Sequence, residues 1–463
     1  MNLYANLLLR YRAASGRGRS IGLFFASSLL SRGIGTVCQL LQVPVALKYL
    51  GSEGFGLWMS LAGVGYFITF ADFGLGQSVQ NRLSAAFAKR RPGEQQDLFV
   101  NAAVFLTVLG SLVFAGGSLA LRHIDLTRIF KIVDPEVQRT APEAVRAMLV
   151  IICLNFPLGL GQRLAYSRQK GWLHNLSQAG AGVVSLLAIT AVARAGGGLV
   201  ATILAGQLPI AGANLVLLLV QFVQLGWIRR LRLRLRTRTM KKLLHLSGFF
   251  ALQQLLTVVL FGLPQIVIST NFGLSAATQF NLAQRLFSVF AIVQNAFLLP
   301  LWPAYADAAA NNDYPWMQKT LIRSIKATVL LSIVPMVGLT LLSQPVFHLW
   351  VGQDHELPAM SLTWLLCAWN CAVFIQQPFG SLLAGISEVR AATVYAAIGT
   401  VASITLMYFL SAHFGPQGVV ASLILGFVPF PLAGTVLQTI SVFHQSRSSV
   451  SPKANEPILN KAC

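Results

Sequence analysis

Residues 21–46 read IGLFFASSLLSRGIGTVCQLLQVPVA, an almost unbroken apolar run with one charged side chain, Arg32. A helix needs about 20 mostly apolar residues to cross a ~30 Å hydrocarbon core. The run does not alternate polar with apolar positions, as a membrane β-strand would. Eleven more runs of the same kind follow, at about 54–76, 98–121, 147–166, 175–194, 199–222, 243–268, 276–300, 321–343, 359–381, 391–410 and 418–441. Composition agrees: of 463 residues, 55% are hydrophobic and only 11% charged, against roughly 25% charged in soluble proteins. The expected fold is an all-α polytopic membrane protein with about 12 transmembrane helices. That excludes a soluble enzyme and a disordered chain.

Lys and Arg are retained on the cytoplasmic side of short loops. With the N-terminus inside, 26 of the 35 Lys and Arg residues fall on the cytoplasmic side and seven outside, while Arg32 and Arg285 lie within spans. Both termini are therefore expected in the cytoplasm. The net charge of +21 follows from this placement rather than from a nucleic-acid surface, so no nucleic-acid partner is expected. The apolar run after Arg10–Arg19 is too long for a cleaved signal. The chain divides into a basic tail (1–20), a first six-helix lobe (21–228), the linker RRLRLRLRTRTMKK (229–242), a second six-helix lobe (243–441) and a polar tail (442–463) expected to be disordered. The linker's charge pins the middle of the chain to one side and also suits anionic head groups. Laying Gly51-Ser-Glu-Gly-Phe-Gly-Leu-Trp against Gly273-Leu-Ser-Ala-Ala-Thr-Gln-Phe gives only a faint internal repeat. In the longest outside loop, about 122–146, Asp134-Pro135-Glu136 carries the signature of a helix start, so a short surface helix is expected there. No loop is long enough for a catalytic domain.

Charged groups in a bilayer normally face a cavity or a partner. Arg32, Asp72 and Arg285 are the three of interest. Ser28, Arg32, Gly35, Gln39 and Gln42 recur at helical spacing, as do Asn281, Arg285, Ser288, Ile292 and Asn295. Each set therefore shares one helix face. Two polar stripes, one in each half and each carrying an arginine, are what a hydrophilic central cavity requires. A guanidinium offers a planar fork of donors to phosphate or carboxylate. Arg32, Arg285, Gln39, Gln42, Asn281 and Asn295 are the candidate substrate contacts, with Arg285 foremost. The bland alternative pairs Arg32 with Asp72 across the first hairpin as a packing contact, and lets Arg285 bind helix carbonyls.

The remaining intramembrane amides, Asn155, Gln253, Gln254, Gln265, Asn370, Gln376 and Gln377, are expected to join helices. Pro44, Pro157, Pro264 and Pro335 are candidate helix breaks, which are tolerated beside cavities. No phosphate-cradling Gly-Lys-Ser loop is present. His348 and His355 make a surface pair rather than a metal site, and Cys367 and Cys371 read as packing residues. No catalytic constellation, metal or cofactor is expected.

The stretch Leu47-Lys-Tyr-Leu-Gly-Ser-Glu-Gly-Phe-Gly-Leu-Trp, running into Phe70-Ala-Asp-Phe-Gly-Leu-Gly-Gln-Ser and Asn81-Arg82, resembles the opening of bacterial polysaccharide flippases. These belong to the multidrug/oligosaccharidyl-lipid/polysaccharide exporter superfamily. The sharp part of the resemblance covers about residues 20–91; span count and the six-plus-six division extend it. It implies two lobes forming a V around a central cavity in the bacterial inner membrane. It also implies alternating access that carries undecaprenyl-diphosphate-linked oligosaccharide outward for surface polysaccharide such as lipopolysaccharide, alongside polymerase and chain-length components. Arg32 and Arg285 are the positions that fit the family's basic, diphosphate-holding residues, and Asp72 fits a gating or H+/Na+-coupling role.

Two other readings stay open. A drug/cation antiporter of the same superfamily would want acidic residues in its cavity, where this chain carries arginines. A membrane oligosaccharide polymerase or ligase would want a large basic outside loop, whereas the 122–146 loop is short and mixed in sign. A lipid-linked peptidoglycan precursor flippase usually has two further spans.

Overall fold

A computed structural model describes residues 16–70, 74–227, 235–298, 301–352, 356–386 and 388–450. Asp72, His355, linker residues 228–234, the chain up to residue 15 and the tail from 451 lie outside the described residues. All regular elements among the described residues are helices. They are α1 (Gly16–Phe70), α2 (Leu75–Ala88), α3 (Pro92–Ala120), α4 (Leu126–Phe130), α5 (Pro135–Leu158), α6 (Leu160–Ser167), α7 (Gly171–Ala195), α8 (Gly198–Leu225) and α9 (Thr237–Phe272). Then come α10 (Leu274–Leu298), α11 (Leu301–Ala310), α12 (Tyr314–Thr328), α13 (Val334–Leu341), α14 (Ser343–Val351), α15 (Met360–Gly385), α16 (Arg390–Phe427) and α17 (Ala433–Val450). Single π-helical turns, Val329–Ile333 and Val428–Leu432, join α12 to α13 and α16 to α17.

Seven helical stretches among the described residues are long and apolar enough to cross a membrane, from Pro92–Ala120 to Arg390–Gln445. Large apolar side chains such as Leu112, Leu187, Val223, Leu330 and Tyr408 are openly exposed. Apolar helices with outward-facing side chains fit hydrocarbon rather than water.

Two long helices change direction at a single glycine. Gly51 inside α1 has φ 69° and ψ 176°, and Gly273 between α9 and α10 has φ 89° and ψ 173°. This backbone region is essentially closed to residues with a Cβ. The faint repeat that aligns these glycines in sequence thus coincides with the same backbone turn at both. The two turns also pack together: Thr278 Oγ1 donates to the Ser52 carbonyl at 2.6 Å. A Cβ placed on Gly56 would fall 2.2 Å from the Leu274 oxygen.

The chain forms two compact units. One comprises Met1–Ile292, Leu342–Thr363 and Phe414–Val419; the other comprises Val293–Leu341, Trp364–His413 and Val420–Cys463. In the first, α1 packs along α7, α7 along α8, and α5 against α3 and α8. Leu75, Val79 and Leu83 of α2 meet Leu98, Phe99 and Leu106 of α3 in a buried core closed by Trp227. In the second, Tyr305, Met317, Leu321, Leu382 and Leu383 form the core, with Phe443 against it.

Local expectations sharpen at three places. Asp134 caps a helix, accepting from Glu136 N at 2.8 Å, but that helix is α5, which runs on unbroken to Leu158 rather than ending at the surface. The short surface helix is α4, capped by Asp125. At the other end, α17 reaches Val450, beyond residue 442, where disorder is expected. Phe443 gives that extension an apolar anchor.

Candidate functional site

Proline has no N–H, so a proline inside a helix strips the carbonyl four residues earlier of its partner. In α1 that proline is Pro44, and the carbonyl is that of Leu40. Trp350 of α14 supplies the missing donor: its Nε1 lies 2.9 Å from the Leu40 oxygen. Beside it, Arg285 Nη1 of α10 donates to the neighbouring carbonyl, that of Gln39, at 3.1 Å. Arg285 Nε donates to Asn281 Oδ1 at 2.9 Å, and Nη2 to the sulfur of Met59 at 3.1 Å. Two side chains from the latter part of the chain thus hold the same turn of α1. The second unit repeats the device, since Pro378 frees the Phe374 carbonyl and Gln294 Nε2 takes it at 2.7 Å.

Sequence spacing places Asn281 and Arg285 on one helix stripe and Gln39 on another, and the fold brings these three residues together. Their charge arrangement is simple. A guanidinium has five N–H donors; three point at an amide oxygen, a backbone oxygen and a thioether, none of which carries charge. These three contacts position the guanidinium. The Gln39 side chain beside it is exposed, and its amide makes no hydrogen bond among the described residues.

The other predicted contacts divide. Arg32 lies seven residues from Gln39, about two helical turns or ~10 Å along α1, and is exposed with no hydrogen bond or ion pair among the described residues. Gln42 turns away: its Nε2 donates to Ser185 Oγ of α7 at 3.2 Å, and that hydroxyl donates to the Gly206 carbonyl of α8 at 2.9 Å. Asn295 is half-buried and belongs to the second unit. Asp72 lies outside the described residues, and with it any pairing to Arg32.

Sequence reasoning did not single out Trp350 or Met59. Pro44 signals an unpaired carbonyl, but no local pattern says which distant donor will reach it. Of the amides expected to join helices, Asn155 does so: Gln178 donates to Asn214, and Asn214 to Asn155, both at 3.0 Å, linking α7, α8 and α5. Asn370 donates within its own helix to the Leu366 carbonyl at 2.8 Å. Cys38, Cys153, Cys367 and Cys371 are free thiols, and no cluster among the described residues has the donors for a metal ion.

The fold is that of a membrane transporter. A multidrug-resistance MATE transporter of the MOP superfamily, solved facing inward, superposes with a TM-score of 0.71 at 14% identity, covering 92% of this chain and all of that one. The lipid II flippase MurJ superposes with a TM-score of 0.66 at 14% identity, covering 92% of this chain and 89% of the other. Within that fold class the sequence is more specific. Residues 25–309 match the family model described as polysaccharide biosynthesis protein, and the chain belongs to that family. A Salmonella typhi protein named for O-antigen transport is 20% identical over 406 residues, 87% of this chain and 92% of its own length. A Yersinia pseudotuberculosis protein named for O-antigen export is 22% identical over 439 residues, 89% of this chain and 95% of its own.

Proposed function

We propose that this multi-pass membrane protein carries undecaprenyl-diphosphate-linked oligosaccharide repeat units across the bacterial inner membrane for surface polysaccharide synthesis. Twelve spans in two six-helix lobes, with both termini cytoplasmic, alternate access to a central path. The O-antigen transport and export named for its relatives supports the substrate class. The observation that carries the reading is Arg285, whose charge is oriented by three neutral partners beside the exposed Gln39.

Taking a diphosphate through hydrocarbon costs tens of kcal/mol by simple solvation arguments, so a lined path is required. Arg285 receives the diphosphate, with Arg32 two turns along α1 as the second cation, and Gln39 and Asn281 orient the head group. Gln42 and Asn295 support the helices that carry these groups, and Asp72 gates the path or couples it to H+ or Na+. The lipid tail stays in the bilayer throughout. The basic linker and the tails do not enter the path, and polymerase and chain-length components act on the delivered unit.

The test uses a strain that lacks this gene but still makes the lipid-linked repeat unit. Labelling of that intermediate on each leaflet is measured with and without the protein restored. Trapping at the inner leaflet, relieved by the protein, supports the proposal. Intermediate already on the outer leaflet but unpolymerised would assign a polymerase or ligase instead, and no change would leave the antiporter.

A further inference from the structure

Away from the Arg285 site, two cations are held together by neutral groups. The turn between α6 and α7 carries Arg168 and Lys170, and both donate to the same oxygen, Gln224 Oε1 of α8, at 3.3 Å and 2.8 Å. Their nitrogens therefore stand within about 6 Å of each other. Arg168 also donates to Gln221 Oε1. Gln221 is fully buried, and its Nε2 has no hydrogen-bond partner. Burial lowers the pKa of both cations, and Arg168 lowers that of Lys170 further by repulsion. Two like charges converging on one amide oxygen, with an unsatisfied donor beside them, form an arrangement that an anion would relieve.

The location says which kind of anion. Three candidate membrane spans end here: Pro135–Ser167 stops one residue before Arg168, Gly171–Ala195 begins one residue after Lys170, and Gly198–Leu225 ends one residue after Gln224. The pair thus sits at the level of lipid head groups, between helices whose outer faces are apolar. The two cations are fixed by hydrogen bonds, so little side-chain freedom remains to be lost on binding.

We propose that Arg168 and Lys170, braced by Gln221 and Gln224, form a binding site for the phosphodiester head group of an anionic membrane lipid. The guanidinium and the ammonium share the phosphate oxygens in place of the single amide oxygen they share now. The site lies on the lipid-facing rim and does not depend on what the protein transports.

The full-length protein is purified in a neutral detergent and titrated, in native mass spectrometry, with phosphatidylglycerol and with phosphatidylcholine of the same acyl chains. Phosphatidylglycerol should bind preferentially, and Arg168→Gln with Lys170→Gln should weaken it roughly 30-fold. A charge-matched control, Lys89→Gln with Lys319→Gln, should leave it within about twofold, since both lysines are exposed. Equal loss in the control, or none in the double variant, overturns the proposal. Displacement of the lipid by inorganic phosphate at equal concentration overturns the lipid assignment in favour of a free anion. If the double variant does not fold, Lys170→Gln alone should give a roughly fivefold loss, and an unchanged affinity there overturns the site.

Discussion

Trp350 and Leu40 are 310 residues apart in sequence, yet the indole nitrogen of one lies 2.9 Å from the carbonyl oxygen of the other. The oxygen is available because Pro44 has no N–H to give it. A buried carbonyl without a donor costs about 1–3 kcal/mol, so the contact repairs a defect that the proline creates. Trp350→Phe should lower stability by about that amount, measured by thermal unfolding in detergent. Pro44→Ala restores the helical donor, so the loss from Trp350→Phe should largely vanish in a Pro44→Ala background. Additive losses would mean that the indole acts through packing alone.

Arg285 offers a test of role rather than presence. Arg285→Gln removes the charge and should cut translocation about 10- to 100-fold, the value of a charge-assisted phosphate contact. Arg285→Lys keeps the charge but loses the fork, and should fall between. Protein level should stay near the parent's, and any fall in melting temperature should be small beside the loss of translocation, since the three partners are neutral. A parallel fall in protein level would reduce Arg285 to a packing residue.

The glycine turns separate backbone strain from crowding. Nothing lies within 4 Å of a Cβ built on Gly51, but its φ is +69°. Gly51→Ala should therefore destabilise by about 1–3 kcal/mol through backbone strain alone. Gly33 has the same open space inside a regular helix, so Gly33→Ala should be neutral or stabilising by up to about 1 kcal/mol. Thermal unfolding of both variants decides it. Equal effects would remove the special status of the Gly51 turn.

Tyr305 sets an alkaline limit. Burial pushes its hydroxyl from about 10 up to about 12, with Ser324 working weakly in the other direction. The raised pKa means the neutral form is favoured in the folded state. Stability is unaffected below pH 10 and declines between about pH 10 and 12, where the unfolded chain ionises first. Phenolate absorbance should show one tyrosine titrating late, and Tyr305→Phe should abolish the late step. An unchanged titration would place the late phenol elsewhere.

The membrane class was legible before any coordinate. The long apolar runs leave no other way to satisfy their side chains over such lengths, and seven helical stretches among the described residues are long and apolar enough to cross a membrane. The polar stripes were also legible, because 3.6-residue periodicity fixes which side chains share a face. Periodicity gives the face, however, and not the neighbour. Gln39 and Gln42 are three residues apart on one stripe, but Gln42 bonds to Ser185 of α7, while the Gln39 carbonyl is held by Arg285 of α10. Likewise Pro44 announced a free carbonyl without naming Trp350.

By itself the sequence determined the apolar runs that suit hydrocarbon, the charged loop ends that suit water, and which polar side chains share a helix face; the positive-φ turns at Gly51 and Gly273 appear only in the structure. Only the tertiary structure decided which distant groups meet. It put Arg285 and Trp350 on one turn of α1, and Arg168 and Lys170 on one oxygen of α8. Helical propensity and hydropathy act over a few residues, whereas these contacts depend on how the helices pack, which no stretch of sequence encodes alone.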